Sequence, residues 1–373
     1  MKVAIVAARG RSLVNFRGAL IMDLIDRGAE VHAISPVDDT DEKTRAELAR
    51  MGATSHLVPM MRGGTSVFGD LRTFCALLLI FRRIRPDCLL TYTVKPVVYG
   101  TLAGWIAGVQ RRVALITGLG YAFMEEGSSK LSWLVVWLYR IALRRAHLVF
   151  FQNPDDQEVF RGKRILPERV PSRVVNGSGI DLDQFQFAPV RDCSKFLFIG
   201  RLLASKGIRE YVDASRIVKA RHPGVEFGVV GWIDDVPDSI RKEELDDWVD
   251  SKTINFFGRL EDVKPALRDC TVLVLPSYRE GTPRTVLEAM ATGRAVITTD
   301  APGCRETVVS GENGFLVNVR DTLSLADAMM RFLEDPSLAI GMGRKSREIA
   351  ELKYDVRKVN AEMLAGMGMA AKP

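Results

Sequence analysis

The chain has 373 residues, 47% hydrophobic and 26% charged, with a formal net charge of +6. That length is ample for two domains with separate cores, and the composition is that of an ordered globular protein. Five cysteines (Cys75, Cys88, Cys193, Cys270, Cys304) are scattered, odd in number and without metal-ligand spacing, which argues against a disulfide scaffold or a zinc site. The opening MKVAIVAARG is too short in its apolar run for a signal peptide. No apolar stretch reaches the ~18 residues of a membrane span, so a cytoplasmic protein is expected. Residues 1–190 carry 25 Lys+Arg against 18 Asp+Glu (+7), and the remainder 27 against 28 (−1). A basic first half is either a solvated face or a surface for an anionic partner.

Taken in chain order, the first half alternates predicted strands with helices. Strand patterns fall at Val3–Ala7, Glu30–Ile34, Cys88–Thr91, Val113–Ile116 and Leu148–Phe151. Helical patterns at Val14–Arg27, Asp41–Met51, Leu71–Arg83 and Leu131–Arg145 separate them, with Gly28 and Gly52 at C-cap positions. A Gly/Ser/Asp/Pro-rich stretch, Asn176–Asp192, marks a domain break. Strands then recur at Lys195–Gly200, Val225–Gly231, Thr253–Gly258, Val272–Pro276 and Ala295–Asp300, with helices at Ile208–Arg221, Ser239–Val249 and Leu287–Thr292. Three helices close the chain, at Leu323–Glu334, Leu338–Leu352 and Val356–Met367. This alternation predicts an α/β protein with two Rossmann-like domains, each with a parallel sheet covered on both faces. The expected domains are 1–180 and 181–350, with 351–373 forming a C-terminal helix that crosses back to the first. Ligands of such sheets bind beyond the carboxyl ends of the strands.

Two motifs occupy such positions. Glu280-Gly281-Thr282-Pro283-Arg284-Thr285-Val286-Leu287-Glu288 follows a buried strand and opens a helix. Thr282 reads as its N-cap and Pro283 as its first residue, and free amides at a helix N-terminus suit a diphosphate. Glu288 is placed to accept hydrogen bonds from a ribose diol, and Glu280 lies in the loop nearer a sugar. The bland alternative pairs Glu288 with Arg284 at i,i+4, or with Thr285 as a capping box, and leaves Glu280 unexplained. The second motif, Gly200-Arg201-Leu202-Leu203-Ala204-Ser205-Lys206-Gly207, sets two cations in a strand-to-helix loop. Arg201 can donate as a fork and Lys206 as a point charge to one pyrophosphate.

Together these segments resemble the retaining glycosyltransferases of family four, whose two-domain architecture is called GT-B. The resemblance spans essentially the whole chain. It implies a donor and an acceptor meeting in the interdomain cleft. By that likeness Arg201 and Lys206 hold the donor diphosphate, Glu288 the ribose and Glu280 the donor sugar. Gly281, Thr282, Pro283, Arg284 and Thr285 line the diphosphate, and the Phe257-Gly258-Arg259-Leu260 turn flanks the base. Asn15-Phe16-Arg17, Lys95 and Gly118-Leu119-Gly120 are similar to bacterial enzymes that extend undecaprenyl-diphosphate-linked sugars, N-acetylgalactosaminyltransferases among them. Asn15, Arg17, Lys95, Thr117 and Gly118 are therefore the expected acceptor side. Many family members place a histidine after a strand of the first domain, whereas here Thr117-Gly118 follows Val113–Ile116.

The implied reaction uses a nucleotide sugar, a UDP-sugar by this likeness, as co-substrate, with no cofactor and no metal. Asp181-Leu182-Asp183 spells a metal-binding Asp-x-Asp but falls in the junction, where an Asp-rich turn is common. The expected partners are the nucleotide-sugar donor, a lipid-linked sugar acceptor and the anionic inner face of the cytoplasmic membrane, with no nucleic acid. Leu131–Arg145 sets Trp133 and Trp137 beside Arg140, Arg144 and Arg145, as an interfacial helix does, though a core helix with a basic end fits the periodicity too. A nucleotide-sugar 2-epimerase shares the architecture; more His and acidic residues would then be expected around the site.

Overall fold

The computed structural model describes residues 1–61, 66–119, 130–191 and 194–369. They form two compact units, 1–178 with 357–373, and 179–356. The first runs β1 (Lys2–Val6), α1 (Gly10–Asp26), β2 (Glu30–Pro36), α2 (Glu42–Arg50), β3 (Thr54–Val58), α3 (Val67–Ile84) and β4 (Cys88–Tyr92). It continues through α4 (Thr101–Ile106), β5 (Arg111–Ile116), α5 (Lys130–Leu143), β6 (Leu148–Phe151), α6 (Pro154–Gly162) and β7 (Ser172–Val174). Its sheet has the order β3-β2-β1-β4-β5-β6-β7, every pairing parallel. Strand order reverses between β1 and β4.

Alternation along the central strands divides this core into two layers. Val3, Ile5, Leu90, Val113 and Phe150 face α1 and the C-terminal residues Met363, Leu364 and Met367. Ala4, Val6 and Leu89 face Leu77 and Phe81 of α3, while Val149 and Phe151 pack on Tyr139 and Leu143 of α5. Burying a side chain of this size contributes about 1.5–3 kcal/mol, so both layers are needed to hold the sheet.

The second unit runs β8 (Lys195–Arg201), α7 (Ile208–Arg221), β9 (Glu226–Trp232), α8 (Lys242–Asp250), β10 (Asn255–Phe256), α9 (Lys264–Asp269) and β11 (Val272–Leu275). Then come α10 (Arg284–Thr292), β12 (Ala295–Thr299), β13 (Gly314–Val317), α11 (Thr322–Glu334) and α12 (Ser337–Ile349). The sheet order is β10-β9-β8-β11-β12-β13, again parallel throughout, and reverses between β8 and β11. The last helix, α13 (Val356–Gly366), packs into the first unit. There Asn360 Nδ2 donates to Asp23 Oδ2 at 2.7 Å and Arg111 Nη2 to the Gly366 carbonyl at 2.7 Å.

Candidate active site

In the second unit the chemistry gathers where strand order reverses, the position at which doubly wound sheets bind ligands. Arg201 ends β8, and Lys206 lies in the loop that leads to α7. Glu280 lies in the loop after β11, the neighbouring strand. The loops touch. Lys206 Nζ donates to Glu280 Oε1, Ser277 Oγ donates to the same oxygen at 2.8 Å, and the Tyr278 amide donates to the Ser205 carbonyl at 2.9 Å. Gly207 permits this approach. Its φ of +71° favours glycine, and a Cβ there would stand 2.2 Å from the Pro276 carbonyl oxygen. A third loop, after β12, closes on Glu280: its amide donates to the Pro302 carbonyl at 2.9 Å, and a Cβ on Gly303 would meet the Glu280 carbonyl oxygen at 2.2 Å.

Arg201 reaches the other way. Its Nη1 donates to Asp234 Oδ2 at 2.9 Å, in the loop after β9. Side-chain exposures of 31% for Arg201 and 21% for Lys206 leave each partly open to solvent. Both motif cations therefore lie at the carboxyl end of one sheet, each on a carboxylate.

Helix α10 begins at Arg284, with Pro283 in the cap position and no side-chain cap. This corrects the expectation that Thr282 is the N-cap and Pro283 the first helical residue; the extended Pro283 (ψ 111°) places the start one residue later. Four residues on, Glu288 Oε1 accepts from Arg284 Nε at 2.9 Å, so the i,i+4 pairing is present. Burial pushes the Glu288 carboxyl up, and Arg284 opposes that shift. At the far edge of the sheet, the Arg259 guanidinium lies 4.7 Å from the Trp232 ring centroid, beside exposed Phe257 and half-buried Leu260.

The first unit repeats the plan at its own reversal, between β1 and β4. Ser12 in the first turn of α1 shares a 2.8 Å hydrogen bond with Tyr92 Oη at the end of β4. The Arg17 guanidinium lies 5.4 Å from the Tyr92 ring centroid, with Nη1 at 3.9 Å from Met363 Sδ. Arg17 is only 2% exposed, whereas Asn15, one turn from the start of α1, is exposed. Lys95, just past β4, donates to Asp70 Oδ1 at 2.7 Å, and Tyr99 Oη donates to Asp70 Oδ2 at 2.8 Å. Between the end of β4 and Lys95, Thr93 adopts φ +68°, a conformation that β-branched residues rarely take outside functional sites. Thr117 and Gly118 follow β5 at the same edge, and Gly120 lies outside the described residues. His147 is structural: the Arg112 amide donates to its Nδ1 at 3.1 Å.

Asp181 is engaged locally. Its carboxylate accepts from the amides of Asp183 (2.9 Å) and Gln184 (3.1 Å) and from Gln184 Nε2 (2.8 Å), an Asx turn. Among the described residues no cluster of three or more His, Cys, Asp or Glu is placed to hold a metal. Sequence reasoning missed Asp234, Asp238 and Thr93. The acidic turn Asp234-Asp235-Val236-Pro237-Asp238, directly after a strand end, was the available signal for the first two.

Two parallel doubly wound units, each carrying charged loops at its reversal point, are the GT-B architecture of glycosyltransferases. The comparisons agree. Residues 18–175 match the "Glycosyl transferase 4-like domain" and residues 193–335 match "Glycosyl transferases group 1". The chain belongs to these glycosyltransferases and is an enzyme of the family-four type. It is 27% identical over 371 residues, covering 95% of both chains, to the N,N'-diacetylbacillosaminyl-diphospho-undecaprenol alpha-1,3-N-acetylgalactosaminyltransferase of Campylobacter jejuni. It is 25% identical, over 76% of both chains, to the UDP-Gal:alpha-D-GlcNAc-diphosphoundecaprenol alpha-1,3-galactosyltransferase of Escherichia coli. In fold it is similar to Anabaena HepE, crystallised in complex with UDP, at a TM-score of 0.77, with 19% identity and coverage of 99% and 100% of the two chains.

Proposed function

We propose that the protein is a retaining, metal-independent transferase that moves a sugar from a UDP-sugar to an acceptor sugar carried on undecaprenyl diphosphate, in bacterial glycan assembly. An N-acetylhexosamine is the donor sugar in this reading, after the substrates named for the relative from C. jejuni. The observation that carries the proposal is the junction of Lys206 and Glu280 where the sheet order reverses. A cation suited to a phosphate beside a carboxylate suited to sugar hydroxyls supports the reading.

In the reaction the bond from the anomeric carbon to the diphosphate oxygen breaks, and the acceptor hydroxyl oxygen bonds to that carbon on the same face. The departing phosphate takes the acceptor proton. Negative charge grows on the diphosphate, and Arg201, Lys206 and the first-turn amides of α10 stabilise it in place. Glu288 binds the ribose; a carboxylate accepts at two oxygens, so the diol and Arg284 can share it. Glu280 orients the donor sugar, Arg259 and Leu260 flank the base, and Asn15, Lys95, Thr117 and Gly118 serve the acceptor, with buried Arg17 behind them packed on Tyr92.

The first unit docks on anionic membrane. No described helix is long and apolar enough to cross one. Helix α5 buries Tyr139, Ala142 and Leu143 but exposes Trp133, Leu134 and Trp137. Neighbouring helices add exposed apolar residues: α4 exposes Trp105 and Ile106, and α3 exposes Val67, Phe68, Leu71 and Leu79. Arg145 stacks 3.9 Å from the Trp105 ring centroid, and exposed Arg82, Arg83 and Arg144 supply further charge. Aromatic and basic side chains together suit a lipid interface. Arg140 is engaged elsewhere, donating to the carbonyls of Lys163 (2.7 Å) and Arg164 (3.1 Å).

The test is a panel of UDP-sugars offered with a polyprenyl-diphosphate-linked sugar. One donor should release UDP only with acceptor present and give an α-linked product from an α-linked donor. UDP release independent of acceptor, or a β-linked product by NMR coupling constant, contradicts the reading.

A further inference from the structure

The loop between β9 and α8, residues 233–241, belongs to neither motif, yet it is bonded to the Arg201–Ser205 stretch of the cation loop. The Leu202 amide donates to the Trp232 carbonyl (3.0 Å), the Ile240 amide to the Leu202 carbonyl (3.0 Å) and the Ala204 amide to the Asp238 carbonyl (2.9 Å). Ser205 adds its amide to Asp238 Oδ2 at 3.2 Å, and its hydroxyl donates to the same oxygen. At the head of the loop Asp234 takes Arg201 Nη1, with 15% of the Asp234 side chain exposed. Ser239 Oγ donates to the Asp234 carbonyl at 2.5 Å and accepts from the Asp234 amide at 3.2 Å, fixing the backbone that carries the carboxylate.

We infer that Asp234 is a positioning residue for Arg201, and that the strap 233–241 holds the cation loop in the geometry that receives a nucleoside diphosphate. The inference rests on the donor-site reading above. A guanidinium presents several N–H donors in a rigid plane. Asp234 engages Nη1, and the remaining edge can donate to phosphate at the same time. Asp234 therefore need not leave when the diphosphate arrives. Its carboxylate selects one orientation of a long side chain, so less rotamer freedom is lost on binding. Asp238 does the same for the backbone ahead of Lys206.

The experiment is calorimetric titration with UDP, together with donor kinetics, on wild type, Asp234→Ala, Asp234→Asn, Arg201→Ala and the Asp234→Ala/Arg201→Ala double variant. Losing the positioned contact should weaken UDP about tenfold in Asp234→Ala, with donor KM rising more than kcat falls. Asp234→Asn keeps an acceptor for Nη1 and should stay within about threefold of wild type. In the Arg201→Ala background, Asp234→Ala should change UDP affinity hardly at all, because coupled residues are non-additive. An equal loss in both backgrounds, or tighter UDP binding by Asp234→Ala, overturns the inference. Unchanged UDP affinity in Arg201→Ala itself would instead remove the donor-site reading, and this inference with it.

Discussion

Gly207 and Pro276 lie so close that a Cβ on Gly207 would stand 2.2 Å from the Pro276 carbonyl oxygen. The obstruction is backbone, which cannot swing aside, and φ at Gly207 is +71°. Strain at such a position costs about 1–3 kcal/mol. Gly207→Ala should lower the unfolding midpoint and weaken UDP binding together, because the two donor loops are forced apart. Denaturant melts and UDP titration check this; wild-type behaviour in both would mean that the loops need not touch.

A second prediction concerns acid. His32 Nδ1 and His56 Nε2 lie 3.0 Å apart on β2 and β3, with Glu30 Oε1 at 3.1 Å from His32 Nε2. Burial lowers both imidazoles below 6.5, Lys2 and Arg83 adding to the effect and Glu30 opposing it at His32. The unfolded chain thus binds protons at about pH 6.5 that the folded chain refuses. Stability should hold above that pH and fall as pH drops through the window beneath it. The urea midpoint of His32→Gln/His56→Gln should depend less on pH between 7.5 and 5.5. Equal slopes for variant and wild type would remove the pair from the acid response.

The metal prediction follows from the proposal that Arg201, Lys206 and the start of α10 hold the diphosphate. Activity should survive EDTA, and Asp181→Asn/Asp183→Asn should turn over near the wild-type rate. Abolition by EDTA with rescue by Mg²⁺ or Mn²⁺ would assign those carboxylates, or others, to a metal.

Membrane docking is read by liposome flotation. The protein should float with anionic vesicles at low salt, and less as salt screens the arginines. Trp133→Ser/Trp137→Ser and Arg144→Glu/Arg145→Glu should each reduce flotation. Indifference to anionic vesicles at low salt contradicts the docking.

The sequence made the central strands and the donor motifs legible because both obey local rules. Val3–Val6 and Val272–Leu275 are continuous apolar runs ended by turn residues, the mark of a strand buried on both faces. Strand β3 (Thr-Ser-His-Leu-Val) was not legible, since its polar start shows no apolar run and it lies at the sheet edge. Strands β7 (Ser-Arg-Val) and β13 (Gly-Phe-Leu-Val) are edge strands that lack an unbroken run of four apolar residues. At the site, Arg201, Lys206, Glu280 and Glu288 stood out by spacing. What spacing could not give was the partner of each: Asp234 lies 33 residues from Arg201, and Glu280 lies 74 from Lys206. Those pairings follow from the neighbouring strands β9, β8 and β11, a tertiary fact.

The central claim is that Arg201, Lys206, Glu280 and Glu288 form a nucleotide-sugar site serving transfer. Its most direct test is acceptor-dependent release of nucleoside diphosphate by wild type, Lys206→Ala and Glu280→Ala at saturating donor. Losing the Lys206 contact to the developing anion costs about 3 kcal/mol, and losing Glu280 frees the orientation of the donor sugar, so each variant should fall by roughly two decades in rate while melting as wild type. Near-wild-type turnover in both folded variants would contradict the account.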